Sequence, residues 1–351
     1  MRRFASVIAS VLFAVAALSV LPNGAPASYA DDGATVLIYH RFGERGLPST
    51  NIRLEQFETH LAEIATGAYT VLPLTEIVAA FEAGATLPDR TLAITIDDAF
   101  LSVYTEAWPR LREAGLPFTL FVATGPIDNQ TAGYMSWDQL RDMVAGGVTI
   151  GQHTVSHIRM YELSEAENIA EIETARARFA AELGLTPEFF AYPFGEYRPA
   201  GRDLVAAAGF RAAFGQQSGV AHRAANRFTL PRFAMNETYG SIIRFRLVAS
   251  ALPLPVSEVI PLDPYLSRNP PEFGFTVDPS VGDLARLSCF ASHETAPARL
   301  ERLGERRIEV RMSAPFPSGR GRVNCTLPAG EGRWRWFGTQ FIIPDDTATI
   351  E

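Results

Sequence analysis

From about residue 35 to 235 the chain alternates short apolar runs with amphipathic stretches, and this alternation limits its fold more than any other feature. Residues 35–39, 92–96, 118–122, 149–152, 189–192 and 212–214 read as strands. Residues 54–65, 74–83, 103–114, 136–145, 164–183 and 201–208 carry helical spacing, with Ser136 as a cap for its helix. Strand–helix alternation of this kind predicts a parallel sheet or barrel. In such folds the chemistry collects where strands end. His40, Asp97, Asp98, His153 and Pro193 all fall at expected strand ends, and that agreement says more than any single motif.

The pattern changes after about residue 250. Residues 251–272 are proline-rich and aperiodic and read as a linker or extended wrap. Beyond them, 285–290, 307–312, 322–327 and 333–343 suit short strands punctuated by Gly, Pro and Ser, as in a small all-β domain at 273–351. At the other end, Arg2 and Arg3 precede an apolar run and small-residue cleavage sites at Ala25-Pro26-Ala27 and Ser28-Tyr29-Ala30, so residues 1–30 read as an export signal. The mature chain, periplasmic or secreted, would begin with the α/β domain at 31–250. No other segment resembles a membrane span. The only two cysteines, Cys289 and Cys325, read in an exported chain as a disulfide.

All 31 basic residues are arginine, which excludes lysine Schiff-base chemistry and a lysine-dependent phosphate loop. Removing the signal takes the formal charge from −8 to −10, a balance that argues against nucleic acid as a partner. The oligomeric state is not legible at this level.

Asp97-Asp98 closes an apolar run, and His153 and His157 follow another at a spacing of four, so one helical turn would put both imidazoles on one face. Thr154 stands where the zinc proteases with this spacing carry Glu, which disfavours that class. One carboxylate and two imidazoles can hold a divalent ion, zinc best suiting the nitrogens, with cobalt, nickel or manganese as alternatives. The other carboxylate is then left over as a base. A glycosidase would leave the histidine pair unexplained.

Thr95-Ile96-Asp97-Asp98, His153-Thr154-Val155-Ser156-His157 and Tyr192-Pro193-Phe194-Gly195 resemble, in order and spacing, the first three motifs of the polysaccharide deacetylase family (NodB homology, carbohydrate esterase 4). The resemblance covers about residues 35–235. It implies a distorted (β/α) barrel and hydrolytic removal of N-acetyl groups, as acetate, from a GlcNAc-containing polysaccharide, whether exopolysaccharide, peptidoglycan or chitin-like. It also implies Asp97 as general base, Asp98, His153 and His157 as metal ligands, and the Phe194 N–H as an oxyanion donor. Two positions depart from the family. Ala191 stands where many members have Arg, and Arg232 in Leu230-Pro231-Arg232-Phe233 is the candidate replacement. The late Leu-x-His motif is missing, and His40 is the candidate general acid, similar to an exported exopolysaccharide branch whose histidine comes early. His222 is the reserve, and His60, on a helix face, reads as structural. Tyr134, Trp137 and Tyr197 are candidates for a sugar groove, although Trp137 suits core packing better. Trp334 and Trp336 could form a sugar platform or an interdomain contact. A metal amidohydrolase acting on a non-sugar amide, and a non-catalytic sugar-binding protein, are the competing readings.

Overall fold

The computed structural model describes residues 32–345 and the backbone of 348–349. The expected export signal lies outside the described residues. Among these, no helix is long and apolar enough to cross a membrane.

Seven strands run in the order Ala221–His222, Gly33–Tyr39, Thr91–Asp97, Thr119–Val122, Thr149–Gln152, Phe189–Ala191, Ala212–Phe214. All neighbours along this path are parallel except Ala221–His222 against Gly33–Tyr39. Residues 91–97 are buried throughout, as a central parallel strand covered on both faces requires. The sheet curls into the distorted (β/α) barrel, and one segment ties its edges together. Leu230 bridges Phe214 on the last strand, while Phe233 and Ala234 pair with Leu37 and Ile38 on Gly33–Tyr39. Arg232 sits between these two pairings.

The helices follow local signals. Ser136 and Ser164 each form a capping box, with Gln139 and Glu167 three residues on. The expected helix at 103–114 is broken in character: Val103–Ala107 is a π-helical turn and Trp108–Glu113 is α-helical. Pro109 supplies the reason, since a proline inside a regular helix clashes with the carbonyl four residues back and donates no hydrogen bond.

His60 lies fully buried on the helix Leu54–Thr66. Its Nε2 is 2.9 Å from the Gly240 carbonyl, which only accepts, so Nε2 carries the proton. Its Nδ1 then accepts from the Tyr39 hydroxyl at 3.0 Å. Burial pushes His60 down to about 4. The unfolded chain therefore takes up this proton before the folded one does. Stability from this group is intact above about pH 6.5 and is lost as pH falls toward 4, by up to about 3 kcal/mol. Urea midpoints should fall across that window, and His60→Gln should flatten part of the slope; an unchanged slope would reject the assignment.

The C-terminal region is a sandwich of two four-stranded sheets. One contains Leu252–Pro253, Trp334–Ile343, Gly319–Pro328 and Ser288–Ala291; the other contains Val256–Ile260, Phe273–Val277, Arg307–Arg311 and Arg299–Leu303. Phe273, Phe275 and Val310 meet Val323, Leu327 and Phe341 in its core. A disulfide joins Cys289 and Cys325, which are cross-strand partners. The stretch at 251–272 is more than a linker, because it supplies a strand to each sheet. Pro253 is tolerated because Leu252–Pro253 is an edge strand.

Candidate active site

Asp97 ends its strand, and Asp98 turns into the left-handed region at φ 78°. Two adjacent strand residues would face opposite ways; this turn lets both carboxylates serve one site. Among the described residues, nine non-glycines have positive φ, and five of them are Asp98, Ala99, Thr154, His157 and Phe194. Left-handed backbone is unfavourable for side-chain-bearing residues, and its concentration in the three motifs marks where the fold re-aims groups.

His153 and His157 do not share a helix. Thr154 and His157, at φ 66° and 54°, fold the segment into an irregular loop. The Glu171 carboxylate accepts from the backbone N–H groups of Val155 and Ser156 and from the Ser156 hydroxyl, at 2.8–2.9 Å. Thr154 Oγ1 accepts from the His157 N–H at 3.1 Å. His153 Nδ1 donates to the Ala191 carbonyl at 2.7 Å, so Nε2 presents a lone pair. That Nε2 lies 3.4 Å from Asp98 Oδ1, and His157 Nε2 lies 3.2 Å from the same oxygen. Ligand atoms of all three residues fall within 4.8 Å of one another.

Asp98 Oδ1 and His153 Nε2 are buried without a hydrogen-bond partner. Lone pairs converging in a dry place, with no proton donor between them, fit a cation. Burial, followed by the nearby His153, pushes His157 down to about 4, which keeps it neutral as a ligand must be. Burial would raise Asp98, but its imidazole neighbours hold it below the usual carboxylate range.

Asp97 has a separate partner. Arg232 Nη1 and Nη2 bind its two oxygens at 2.7 Å each, and both side chains are fully buried. Arg232 Nε donates to the Gly215 carbonyl at 2.9 Å, and Nη1 also reaches Thr95 Oγ1 at 3.2 Å. Burial alone would raise Asp97; the charges of Arg232 and His153 outweigh it and hold the carboxyl low. Thr95, which opens the first motif but is given no role by the sequence, lies two residues before Asp97 and so shares its strand face.

His40 follows the first strand and faces the same centre. Burial draws it below its ordinary value, while the charges of Asp98 and Asp97 oppose that. His222 lies away from the metal-ligand cluster. It lines a cavity of about 290 Å³ between the barrel and the sandwich, together with Tyr197. Tyr197 packs on Tyr192 at 5.2 Å. Tyr134 stays near the site: burial and the charge of Asp98 both raise it. Trp137 donates to Asp128 and packs edge-on against Phe179. Trp336 packs against Phe233 at 5.2 Å, an interdomain contact.

The third motif forms a tight turn, Pro193–Gly195, with Phe194 at φ 59° and ψ 4°. The Phe194 ring lies 4.6 Å from that of His157. Gly195, at φ +69°, has no room for a side chain, since a Cβ there would lie 2.4 Å from the Gln216 nitrogen. Glu196, Arg159, Arg320 and Gln340 also gather around this turn. Glu196 and Arg159 adjoin the motifs in sequence and could have been suspected; nothing in the sequence marked the other two.

A family model for polysaccharide deacetylase matches residues 84–213. YxkH of Bacillus subtilis is 21% identical over 197 residues, covering 56% of this chain and 69% of its own. The poly-beta-1,6-N-acetyl-D-glucosamine N-deacetylase of Staphylococcus aureus (strain MRSA252) is 20% identical over 235 residues, covering 60% of this chain and 81% of its own. Among solved structures, IcaB from Ammonifex degensii superposes with a TM-score of 0.57 at 25% identity, covering 63% of this chain and 98% of that one. The Streptococcus pyogenes deacetylase PplD shares the fold with a TM-score of 0.56 at 20% identity, covering 59% of this chain and 94% of that one. Motifs that agree in order and spacing, set on a barrel that these deacetylases share, go with a polysaccharide deacetylase domain at residues 84–213.

Proposed function

We propose that this enzyme removes N-acetyl groups from a GlcNAc-containing exopolysaccharide in a metal-dependent hydrolysis. The observation that carries the reading is the buried Asp97, ionised by Arg232 and outside the ligand set formed by Asp98, His153 and His157. A non-catalytic binding protein has no use for a base held in that state. The named activity of the Staphylococcus aureus relative supports an N-acetylglucosamine polymer as substrate.

Asp98, His153 and His157 would hold the ion, zinc by their chemistry, and the ion would supply Lewis-acid activation of water and of the acetamide carbonyl. Asp97 takes the proton of the attacking water, its carboxylate aimed by Arg232. The Phe194 N–H donates to the oxygen that gains charge in the tetrahedral state. His40 protonates the departing amine. It is favoured by elimination: His60 is engaged in the core, His222 lines another cavity, and His293 bonds the Ala314 carbonyl in the sandwich. The signal-like residues 1–30 support action outside the cytoplasm.

The test is acetate release from β-1,6- and β-1,4-linked GlcNAc oligomers, with zinc or cobalt and with chelator. Release that requires the ion is the expected result. Protein that holds its metal and releases nothing from any oligomer would overturn the reading in favour of a non-sugar amide. His40→Ala should keep the metal and lose roughly 100-fold or more in turnover; full activity in that variant would remove His40 from the mechanism.

A further inference from the structure

The C-terminal sandwich reaches the third motif directly. Gln340 is buried on the strand Trp334–Ile343, and its Nε2 donates to the Phe194 carbonyl at 3.2 Å. Its Oε1 accepts from Arg322 Nε at 3.1 Å. An arginine only donates and a carbonyl only accepts, so the two contacts fix the amide's orientation. Two residues past Phe194, buried Glu196 accepts from Arg159 Nη1 at 2.6 Å on Oε2, and Arg320 Nε forms an ion pair at 2.9 Å with Oε1, without hydrogen-bond geometry. The same two guanidiniums lie 4.6 and 5.8 Å from the Phe194 ring centre. The seam leaves no slack, since a Cβ on Gly338 would lie 2.1 Å from the Ser218 carbonyl oxygen. Arg320, Arg322 and Gln340 all lie beyond the residues 84–213 that match the family model.

Phe194 occupies left-handed backbone, which persists only where its surroundings over-determine it. Its own loop contributes Gly195 N–H to the Tyr192 carbonyl and Glu196 N–H to the Pro193 carbonyl. The Phe194 carbonyl, which belongs to the following peptide and reports Phe194 ψ, is held by the sandwich.

We propose that the C-terminal sandwich is a working part of the catalytic unit. Gln340, oriented by Arg322, fixes the carbonyl side of Phe194, and with the Arg320–Glu196–Arg159 clamp it keeps this left-handed residue, and through its φ and ψ the N–H of the preceding peptide, in place at the metal-side rim. Gln340 is thus a positioning residue, and the inference rests on the reading of the Phe194 N–H as oxyanion donor. Misplacing such a donor costs turnover rather than ground-state binding.

The experiment compares the full chain with Gln340→Ala, Gln340→Glu and Arg320→Ala. Each is read for zinc content, Tm, kcat and KM on a GlcNAc oligomer, and for amide hydrogen exchange of residues 192–197 without substrate. Gln340→Ala is expected to lower kcat roughly 10-fold or more with KM and zinc unchanged, and to speed exchange in that segment. Gln340→Glu keeps Arg322 as an ion-pair partner but turns an acceptor toward the Phe194 carbonyl. It should lose at least as much kcat, beyond what its lower Tm accounts for when read on the folded fraction. If Gln340 merely glued the domains, the Glu variant would lose Tm and keep the wild-type kcat, and that result overturns the proposal. Unchanged exchange in all three variants, or faster exchange with unchanged kcat, overturns it as well. Faster exchange in a protein whose wild type deacetylates no oligomer would support the clamp and defeat the deacetylase reading instead.

Discussion

Asp97→Asn is expected to stop acetate release while the metal stays bound. The amide is nearly isosteric with the carboxylate but cannot accept the proton of the attacking water, a role that contributes about 10²–10⁴-fold. Asp98, His153 and His157 are untouched by the substitution, so zinc content should match wild type. The substitution does strand Arg232, whose side chain is 0% exposed. Removing one partner of a buried pair costs about 3–5 kcal/mol. The variant should therefore be less stable as well as inactive, and activity must be read on the folded fraction at low temperature. An Asp97→Asn protein with its metal and near wild-type turnover would end the assignment of Asp97 as base.

Arg232→Met should lose stability by a similar amount, about 3–5 kcal/mol, because a carboxylate is left in a dry interior. It should also lower turnover, since an unpaired buried carboxyl prefers to be protonated and a protonated carboxyl is no base. Combining Asp97→Asn with Arg232→Met should recover most of the stability and none of the activity. Neither charge is then left alone, and replacing both members of a buried pair is often near neutral. Urea unfolding of the four proteins gives the coupling energy directly. Additive losses, with no recovery in the double variant, would mean that the 2.7 Å contacts contribute little.

The order of strands and helices between about residues 35 and 235 was legible because period and capping are local. Ser136 and Ser164 announce their helices three residues ahead through Gln139 and Glu167. Pro109 carried the signal for the π-helical turn, but spacing alone reads straight through it. In the sandwich, the strands Val256–Ile260, Phe273–Val277 and Arg299–Leu303 escaped notice. Prolines and exposed charged residues blur their alternation. The His153–His157 spacing suggested a helical turn, whereas positive φ at Thr154 and His157 makes a loop. Such conformations are decided by what the loop must satisfy, here the Glu171 carboxylate.

By itself, the sequence determined which residues gather at the candidate site. Polar groups that end apolar strands must gather at one end of a parallel barrel, so Asp97, Asp98, His153 and Phe194 could be placed together before any coordinates. Only the tertiary structure decided what controls them. Arg232 meets Asp97 from 135 residues away because the segment carrying it spans the two edges of the curled sheet. Gln340 reaches Phe194 across 146 residues because a second sheet packs against the barrel. Contacts of that range depend on how whole sheets curl and dock, and no local pattern of residues encodes them.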